Sequence, residues 1–96
     1  MITAYILYPK AEGSTFDMEY YTSKHMPMFA EALGDACTKW GVTDIHGDDY
    51  HAVGWANVES IEAFGKAMQE NGGPVMADVP NYTTVQPVLI TGDAVV

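Results

Sequence analysis

The chain has 96 residues, which is the length of one small domain, 1–96, and leaves no room for a second domain or a linker. Hydrophobic residues make up 48% of the chain and charged residues 18%, a balance that excludes an intrinsically disordered protein. Four lysines, no arginine and 13 acidic residues give a formal charge of −9. This charge makes nucleic acid and anionic membranes poor partners and disfavours an anionic substrate.

The size of the chain and its single cysteine bear on assembly and location. A chain this short buries only about 60% of its unfolded surface when it folds alone, so we expect a homodimer. Cys37 has no partner for an internal disulfide, and Met1–Lys10 lacks the basic and apolar regions of a signal peptide. No segment reaches the roughly 18 apolar residues of a membrane span. These features predict a cytoplasmic protein.

The chain begins with a β-rich run that predicts a first strand over Ile2–Tyr8. A polar loop, Lys10–Thr15, follows this strand. Asp17 is a typical helix N-cap, and Phe16 and Tyr21 then occupy the two positions of a hydrophobic staple. A helix is therefore predicted to begin directly after Asp17.

This first helix carries apolar residues at helical spacing and ends at Gly34, which is a natural C-terminal stop. Its predicted inward-facing residues are Met18, Tyr21, Met28, Ala32 and Leu33. Pro27 lies inside the pattern and has no N–H for the carbonyl of Ser23, so we expect a kink there. His25 lies just before the kink, where freed carbonyl groups and a cleft can occur together.

Two further strands are predicted over Cys37–His46 and His51–Val58, joined by a hairpin connection at Gly47–Tyr50. Side chains alternate between the two faces of a strand. In the second of these strands, Ala52, Gly54 and Ala56 share one face, and His51, Val53, Trp55 and Asn57 share the other. One face is therefore small, and the other is large and mostly apolar.

A second helix is predicted after Ser60, which is a suitable N-cap. Its inward-facing residues are predicted to be Ile61, Phe64, Ala67 and Met68. Asn71–Pro74 should end it, with Pro74 opening a short separate turn that carries Val75, Met76 and Val79. Pro80 should then force an extended chain into a last strand, Tyr82–Ile90, where Pro87 indicates a sheet edge or a bulge.

The resulting element order is βαββαβ. Right-handed crossovers fold this order into a ferredoxin-like, four-stranded antiparallel sheet with both helices on one face, an α+β fold. The strands carry apolar residues on both faces, which is more than a sheet with one solvated face should show. Two such sheets packed face to face would bury the surplus, so the sequence predicts a dimeric α+β barrel.

His25 is the foremost candidate for chemistry, with Tyr20 and Tyr21 within about one helical turn of it. Two roles for His25 have equal weight. In the first it transfers a proton, and in the second it is structural and forms a hydrogen bond with a freed backbone carbonyl. His46 and His51 flank a turn and are interpreted as solvent-facing or edge residues, and Asp78 as a cap or turn acceptor. The chain has neither metal-ligand spacing nor a nucleotide-binding motif, so we expect no metal and no cofactor.

An apolar pocket with a few polar groups is typical of a small-molecule site. The residues predicted to line it are Tyr5, Tyr82, Trp55, Met28 and Met76. For any one of them, ordinary core packing is the alternative interpretation. The small row on the third strand likewise fits either close helix packing or space for a ligand.

Three segments resemble the EthD-like family, whose members show an F-D-x-x-Y-Y…H-M-P pattern. They are Phe16–Tyr21 with His25–Pro27, Met76–Thr83 followed by Gln86-Pro87, and Leu7–Pro9. The resemblance implies a dimeric α+β barrel and takes Asn81, in the second segment, as a substrate-binding residue. The family is named for ethyl tert-butyl ether degradation, where it accompanies an oxidising system. Similar barrels include lactone isomerases, polyketide cyclases and cofactor-free or haem-handling monooxygenases.

Taken with the pattern, the resemblance suggests a protein that binds a small, largely apolar, neutral metabolite between the kinked helix and the sheet. His25 would move a proton, and Tyr20 or Tyr21 would orient the bound oxygen, in cofactor-independent oxidoreductase, isomerase or cyclase-like chemistry. The alternative is a non-catalytic accessory protein that holds a hydrophobic intermediate for a partner oxygenase. A haem-degrading monooxygenase is disfavoured, because Asn71 stands near a position where family members often carry a histidine and because the chain has no arginine.

Overall fold

A computed structural model describes all residues of the chain, Met1–Val96, and has the expected order of strands and helices. The elements are β1 (Ile2–Pro9), α1 (Met18–Tyr20), a π-helical turn (Tyr21–His25), α2 (Met26–Leu33), a 3₁₀ turn (Gly34–Ala36), β2 (Cys37–Asp44), β3 (Tyr50–Val58), α3 (Ile61–Ala77), a second 3₁₀ turn (Val79–Asn81) and β4 (Val88–Asp93). The strands lie in the order β2-β3-β1-β4, and every neighbouring pair is antiparallel. This is the ferredoxin-like α+β fold predicted from the sequence.

The first helical segment begins as expected. The Asp17 side chain accepts a hydrogen bond from the Tyr20 N–H at 3.1 Å, and the Phe16 and Tyr21 rings meet edge to face with centroids 5.0 Å apart. After α1 the helix widens into the π-helical turn, which ends with the Met26 N–H donating to the Tyr21 carbonyl. The irregularity expected at Pro27 therefore takes the form of a wide turn directly before it, since proline lacks the N–H that continues the usual ladder.

The π-helical turn changes which side chains face the core. Beyond it, Met26, Phe29 and Leu33 are buried, whereas Met28 and Ala32, which were predicted to face inward, are only half-buried. A π turn adds one residue to a helical turn, so every later residue takes the position that its predecessor would have had. The inward prediction was therefore wrong for Met28 and Ala32, whereas that for Leu33 is confirmed.

The sheet presents its small face to the helices. In β3, Ala52, Gly54 and Ala56 are buried beneath the helical layer, and the residues between them are half-buried on the opposite face. The same alternation runs through β1, where Ala4 and Tyr8 face the helices while Tyr5 pairs with Trp55 on the outer face. The predicted division of β3 into a small face and a large face is confirmed.

The second helix differs from its prediction. α3 continues without a break through Asn71–Pro74 to Ala77, and Ser60 caps it by accepting from the Ala63 N–H at 3.0 Å. The predicted stop was wrong because Val75, one turn further on, is buried in the core and holds the helix together past the proline. Ile61, predicted to face inward, is 47% exposed in this chain.

The segment after α3 is also not the extended strand predicted from Tyr82. Residues 79–81 form a 3₁₀ turn, and β4 begins only at Val88. The Tyr82 carbonyl instead accepts from the Asp17 N–H at 2.8 Å, and Thr83 forms an isolated bridge with Phe16. These bonds tie the segment to the start of the first helix, which places Tyr82 beneath the helical layer.

The face of the sheet that points away from the helices is rich in large apolar side chains. Its members, paired across β1, β3 and β4, are Tyr5, Leu7, Val53, Trp55, Val88 and Ile90, which we call the outer face. Ile90 is 51% exposed and Val88 is 48% exposed in the single chain. None of the helices has the length and apolar character required to cross a membrane.

Candidate functional site

A cavity of about 110 Å³ lies between the helical layer and the sheet. Its wall is mostly apolar and is formed by Ile6, Tyr8, Tyr21, His25, Met26, Phe29, Phe64, Met68, Val75, Met76, Val79, Pro87 and Leu89. The polar atoms in this wall come from two tyrosines and one histidine. The cavity can therefore hold a small apolar molecule and present only a few hydrogen-bonding groups to it.

His25 is the last residue of the π-helical turn and is 3% exposed. Its Nδ1 lies 3.0 Å from Oδ2 of Asp78, and its Nε2 lies 3.2 Å from the Tyr82 hydroxyl oxygen. A carboxylate can only accept, so Nδ1 carries the proton and donates to Asp78, and Nε2 accepts from the Tyr82 O–H. The ring is thus fixed in one tautomer and one orientation by partners on both sides.

Asp78 caps the C-terminus of α3 and receives three hydrogen bonds. Besides His25, the Tyr20 hydroxyl donates to Oδ1 at 2.7 Å and the Asn81 amide donates to Oδ1 at 2.9 Å. Burial alone would raise the pKa of this carboxyl, but the hydrogen bonds from Asn81, Tyr20 and His25 outweigh it and lower the pKa below its ordinary value. Asp78 is therefore an anion at neutral pH.

The protonation of His25 follows from its burial. Desolvation lowers the pKa of the imidazole below 6.5, and the hydrogen bond and negative charge of Asp78 oppose that shift only in part. The ring is neutral at pH 7 and can accept a proton. The adjacent carboxylate would stabilise the imidazolium formed when it does.

Two tyrosines extend the hydrogen-bond chain from His25 toward the cavity. The Tyr82 hydroxyl lies 2.7 Å from the hydroxyl of Tyr8, which is 1% exposed and lines the cavity wall. Because Tyr82 donates to His25, Tyr8 donates to Tyr82. Burial raises the pKa of both hydroxyls above 10, so both keep their protons at neutral pH.

Tyr21 supplies another hydroxyl to this region. Its ring stacks on the His25 ring with centroids 5.5 Å apart and an interplanar angle of 17°. Its hydroxyl is fully buried, lies against the backbone of Gly54 and has no hydrogen-bond partner. An unpaired buried hydroxyl costs about 1–3 kcal/mol.

The residues proposed for the site from the sequence fall into three groups. His25, Tyr21 and Met76 line the cavity, whereas Tyr20, Asn81 and Tyr82 stand behind its wall and hold His25 or Asp78. Tyr5 and Trp55 do not line it, because they project from the outer face while their strand neighbours face the helices. Met28 lies beside a shallow surface depression with Asn71, since the π-helical turn rotates it away from the cavity.

Two members of the hydrogen-bond chain, Asp78 and Tyr8, were not predicted as site residues. Asp78 looked like an ordinary cap, and it does cap α3, but its side chain also orients His25 across 53 positions of sequence. Tyr8 looked like a strand residue beside Pro9. Both lie inside segments that carry the family pattern, which is the one signal in the sequence that could have singled them out.

The remaining histidines lie outside the cavity. His46 is exposed, whereas His51 stacks on Phe16 and shares a hydrogen bond of 2.9 Å with the Ser14 hydroxyl. No three histidine, cysteine or acidic side chains come close enough to form a metal-ligand group. His25 is thus the histidine that combines burial, an acidic partner and a cavity.

The chain is similar to several solved structures along almost its whole length. An EthD-like protein from Ralstonia eutropha is 34% identical, with a TM-score of 0.90 over 99% of this chain and 92% of that one. A protein of the ethyl tert-butyl ether (EthD) family from Bacillus halodurans is 18% identical, with a TM-score of 0.68 over 98% of each chain. SnoaB, a cofactor-independent oxygenase from Streptomyces nogalater, is 13% identical, with a TM-score of 0.52 over 97% of this chain and 92% of that one.

The last two similarities concern the fold alone. No family model matches the chain, and no curated protein sequence matches it.

Proposed function

Because the chain belongs to the EthD-like family, we propose that it binds a small, largely apolar, neutral metabolite in the cavity beside His25 and catalyses proton transfer on it without a cofactor. Proton transfer is a step that isomerases, cyclases and cofactor-independent oxygenases share, and SnoaB supports the last of these as a precedent for the fold. The family name supports a place in the degradation of a small foreign compound.

One observation carries the proposal. A neutral imidazole, held on Nδ1 by an anionic carboxylate, forms part of the wall of a mostly apolar cavity. A buried histidine that serves only packing needs neither an ionised partner nor a cavity beside it. A histidine with both can accept a proton from a bound molecule and return it.

The chemistry of the wall sets the class of ligand. The wall contains no lysine or carboxylate, so a charged ligand would lose its hydration without gaining a counter-ion. The formal charge of −9 further disfavours an anion. A neutral molecule with one or two oxygen atoms and an otherwise apolar body fits these conditions.

We extend the proposal to a homodimer formed through the outer face. Of the six large apolar side chains of this face, Tyr5, Val88 and Ile90 are exposed and the other three are half-buried in a single chain, and a second copy of the sheet would bury them all. The helical layer, and the cavity with it, would remain on the far side of each sheet. Sedimentation at micromolar concentration should give twice the chain mass of 10.5 kDa.

The enzyme proposal is tested with His25→Asn, which keeps a hydrogen-bonding side chain but cannot carry a proton. A panel of small enolisable ketones in deuterated water serves as substrates, and proton NMR follows exchange of the carbon-bound hydrogen. We expect His25→Asn to slow exchange at least about 100-fold, within the range that a general acid or base contributes. His51→Asn is the matched control and should retain the parent rate. A His25→Asn variant as active as the parent would contradict the proposal.

A non-catalytic accessory protein is the second candidate, and one observation favours it. Both ring nitrogens of His25 already have protein partners, so neither presents a free lone pair to a ligand. In this case no exchange should occur, and His25→Asn should weaken binding by no more than about fivefold, the value of one lost hydrogen bond of about 1 kcal/mol. Titration calorimetry with the same panel separates the two functions.

A further inference from the structure

We infer that Tyr8 is the catalytic residue that meets the substrate, that Tyr82 carries the proton between Tyr8 and His25, and that the substrate is a neutral phenol or enol whose hydroxyl binds at Tyr8. The inference rests on the proposed function, because it concerns the same cavity and the same base. It assigns the contact with substrate to a residue other than the histidine.

The positions of the three groups lead to this assignment. The lone pair of His25 Nε2 points to the Tyr82 hydroxyl, which blocks direct proton transfer from a molecule in the cavity. Tyr82 is 4% exposed and does not form part of the cavity wall. Tyr8 does form part of the wall, and its hydroxyl lies 2.7 Å from that of Tyr82. The hydrogen-bonded route from cavity to base therefore passes through Tyr8.

The proton balance of this route is simple. The substrate O–H bond breaks and its proton joins the Tyr8 oxygen, while the Tyr8 proton moves to the Tyr82 oxygen and the Tyr82 proton moves to His25 Nε2. Each tyrosine gains one proton and loses one, so both end as neutral hydroxyls. The substrate becomes an oxyanion and His25 becomes an imidazolium paired with Asp78. No electron is transferred, and the reverse sequence returns the proton.

Tyr21 has a place in the same step. Its hydroxyl is buried without a partner, and its ring centroid lies 5.1 Å from that of Tyr8, so two tyrosines converge at this part of the wall. A substrate oxygen that accepts from the Tyr21 O–H satisfies that hydroxyl. The hydrogen bond from Tyr21 strengthens when the substrate oxygen becomes an anion, and a fixed donor therefore favours the charged state of the substrate. This pair of hydroxyls selects an oxygen that changes charge.

The test uses 4-nitrophenol, a small phenol whose anion absorbs visible light while its neutral form does not. The parent protein should bind the probe and retain an anion band at pH values where the free probe is protonated. Tyr8→Phe and Tyr82→Phe should each abolish that band while changing the affinity by no more than about fivefold. Tyr82→Phe is decisive, because Tyr82 does not touch the probe and a merely local contact would not depend on it. Tyr5→Phe, on the outer face, is the control and should behave as the parent.

A second measurement follows the proton in the parent protein, so its result does not depend on the folding of a variant. In the parent protein, the ¹⁵N resonance of His25 Nε2 should move to the protonated position when 4-nitrophenol is added. An anion band that persists in Tyr8→Phe or Tyr82→Phe would overturn the relay and leave the proposed function intact. A parent protein that does not bind the probe or any member of the ketone panel would overturn both.

Discussion

The two faces of the sheet use side-chain size in opposite ways. Toward the helices, β3 presents Ala52, Gly54 and Ala56, whose small size lets helical side chains such as Tyr21 approach the backbone. Toward the outside, the same strand presents Val53 and Trp55, which build a broad apolar surface. Because side chains alternate along a strand, one nine-residue segment supplies both the small face that the helices pack on and part of the large apolar outer face.

Each face also has one glycine beneath an aromatic ring. On the inner face, a Cβ at Gly54 would overlap the Tyr21 hydroxyl, and on the outer face a Cβ at Gly41 would overlap the Trp55 indole. The difference lies in the freedom of the ring, since Tyr21 is fully buried and Trp55 is only half-buried in the single chain. The same contact is therefore rigid on one face and adjustable on the other.

The largest expected effect concerns the outer face. Ile90→Lys places a charge on the proposed dimer surface, beside Tyr5, and should cost the dimer at least about 3 kcal/mol, because the buried ammonium has no partner. Analytical ultracentrifugation should then show the single-chain mass. Ile61→Lys, an equally exposed apolar position on the helical side, is the control and should leave the dimer intact. A dimeric Ile90→Lys protein would place the association surface elsewhere.

The two glycines give the next effect. Gly54→Ala should lower the free energy of unfolding by about 1–3 kcal/mol, since Tyr21 has no space to move. Gly41→Ala should cost the isolated chain less than about 1 kcal/mol, because Trp55 can shift outward. Both substitutions are made in the Ile90→Lys protein, which should be a single chain, and urea denaturation then measures the difference in their free energies of unfolding. Equal costs would mean that Trp55 is as confined as Tyr21.

The inner face should also make stability depend on pH. The pKa of His25 is lowered in the folded state, so below about pH 6.5 the unfolded chain binds a proton that the folded chain does not. Stability should be complete above that pH and fall below it, by at most about 1.4 kcal/mol per pH unit for one group. The pKa of Asp78 is also lowered, which adds a second loss below about pH 4.

Thermal melts between about pH 5 and pH 8 test this dependence. His51 also has a lowered pKa, so the parent slope contains both histidines. His25→Asn should show a shallower slope than the parent, and an unchanged slope would assign the dependence to His51 alone.

The smallest effect on the free energy of unfolding is expected at the Tyr21 hydroxyl, which has no hydrogen-bond partner. Tyr21→Phe should stabilise the free protein by about 1 kcal/mol, because it removes a buried polar group that has no partner. Tyr82→Phe should have the opposite sign, since that hydroxyl bonds to Tyr8 and His25. Differential scanning calorimetry of the two variants without ligand makes the comparison. Destabilisation by Tyr21→Phe would indicate that the hydroxyl is satisfied in solution.

Local patterns in the sequence were sufficient to predict the fold. Strand alternation, the caps at Asp17 and Ser60 and the stop at Gly34 depend on neighbouring residues, and each is found in the structure. The break predicted at Asn71–Pro74 failed because the burial of Val75 outweighs the local cost of glycine and proline. Tertiary contacts of this kind cannot be read from a window of sequence.

The site was only partly predictable for a related reason. His25 and Tyr21 were proposed from their position near Pro27, and both line the cavity. Asp78 lies 53 residues from His25, and no local pattern shows that the two side chains meet. Trp55 was assigned to the pocket for its chemistry, although the alternation of β3 already placed it on the opposite face from Gly54.

The π-helical turn contains one residue more than an α-helical turn, and this extra residue decides which side chains of α2 face the core. If the same residues formed an ordinary α-helical turn, each residue after it would be rotated by about 100° around the helix axis, and Met28 and Ala32 would take the core positions that Phe29 and Leu33 now hold. Such a turn is what a one-residue insertion into an ordinary α-helix produces. Relatives that are one residue shorter between Phe16 and Pro27 should therefore form an ordinary α-helix here and still bury the residues equivalent to Phe29 and Leu33.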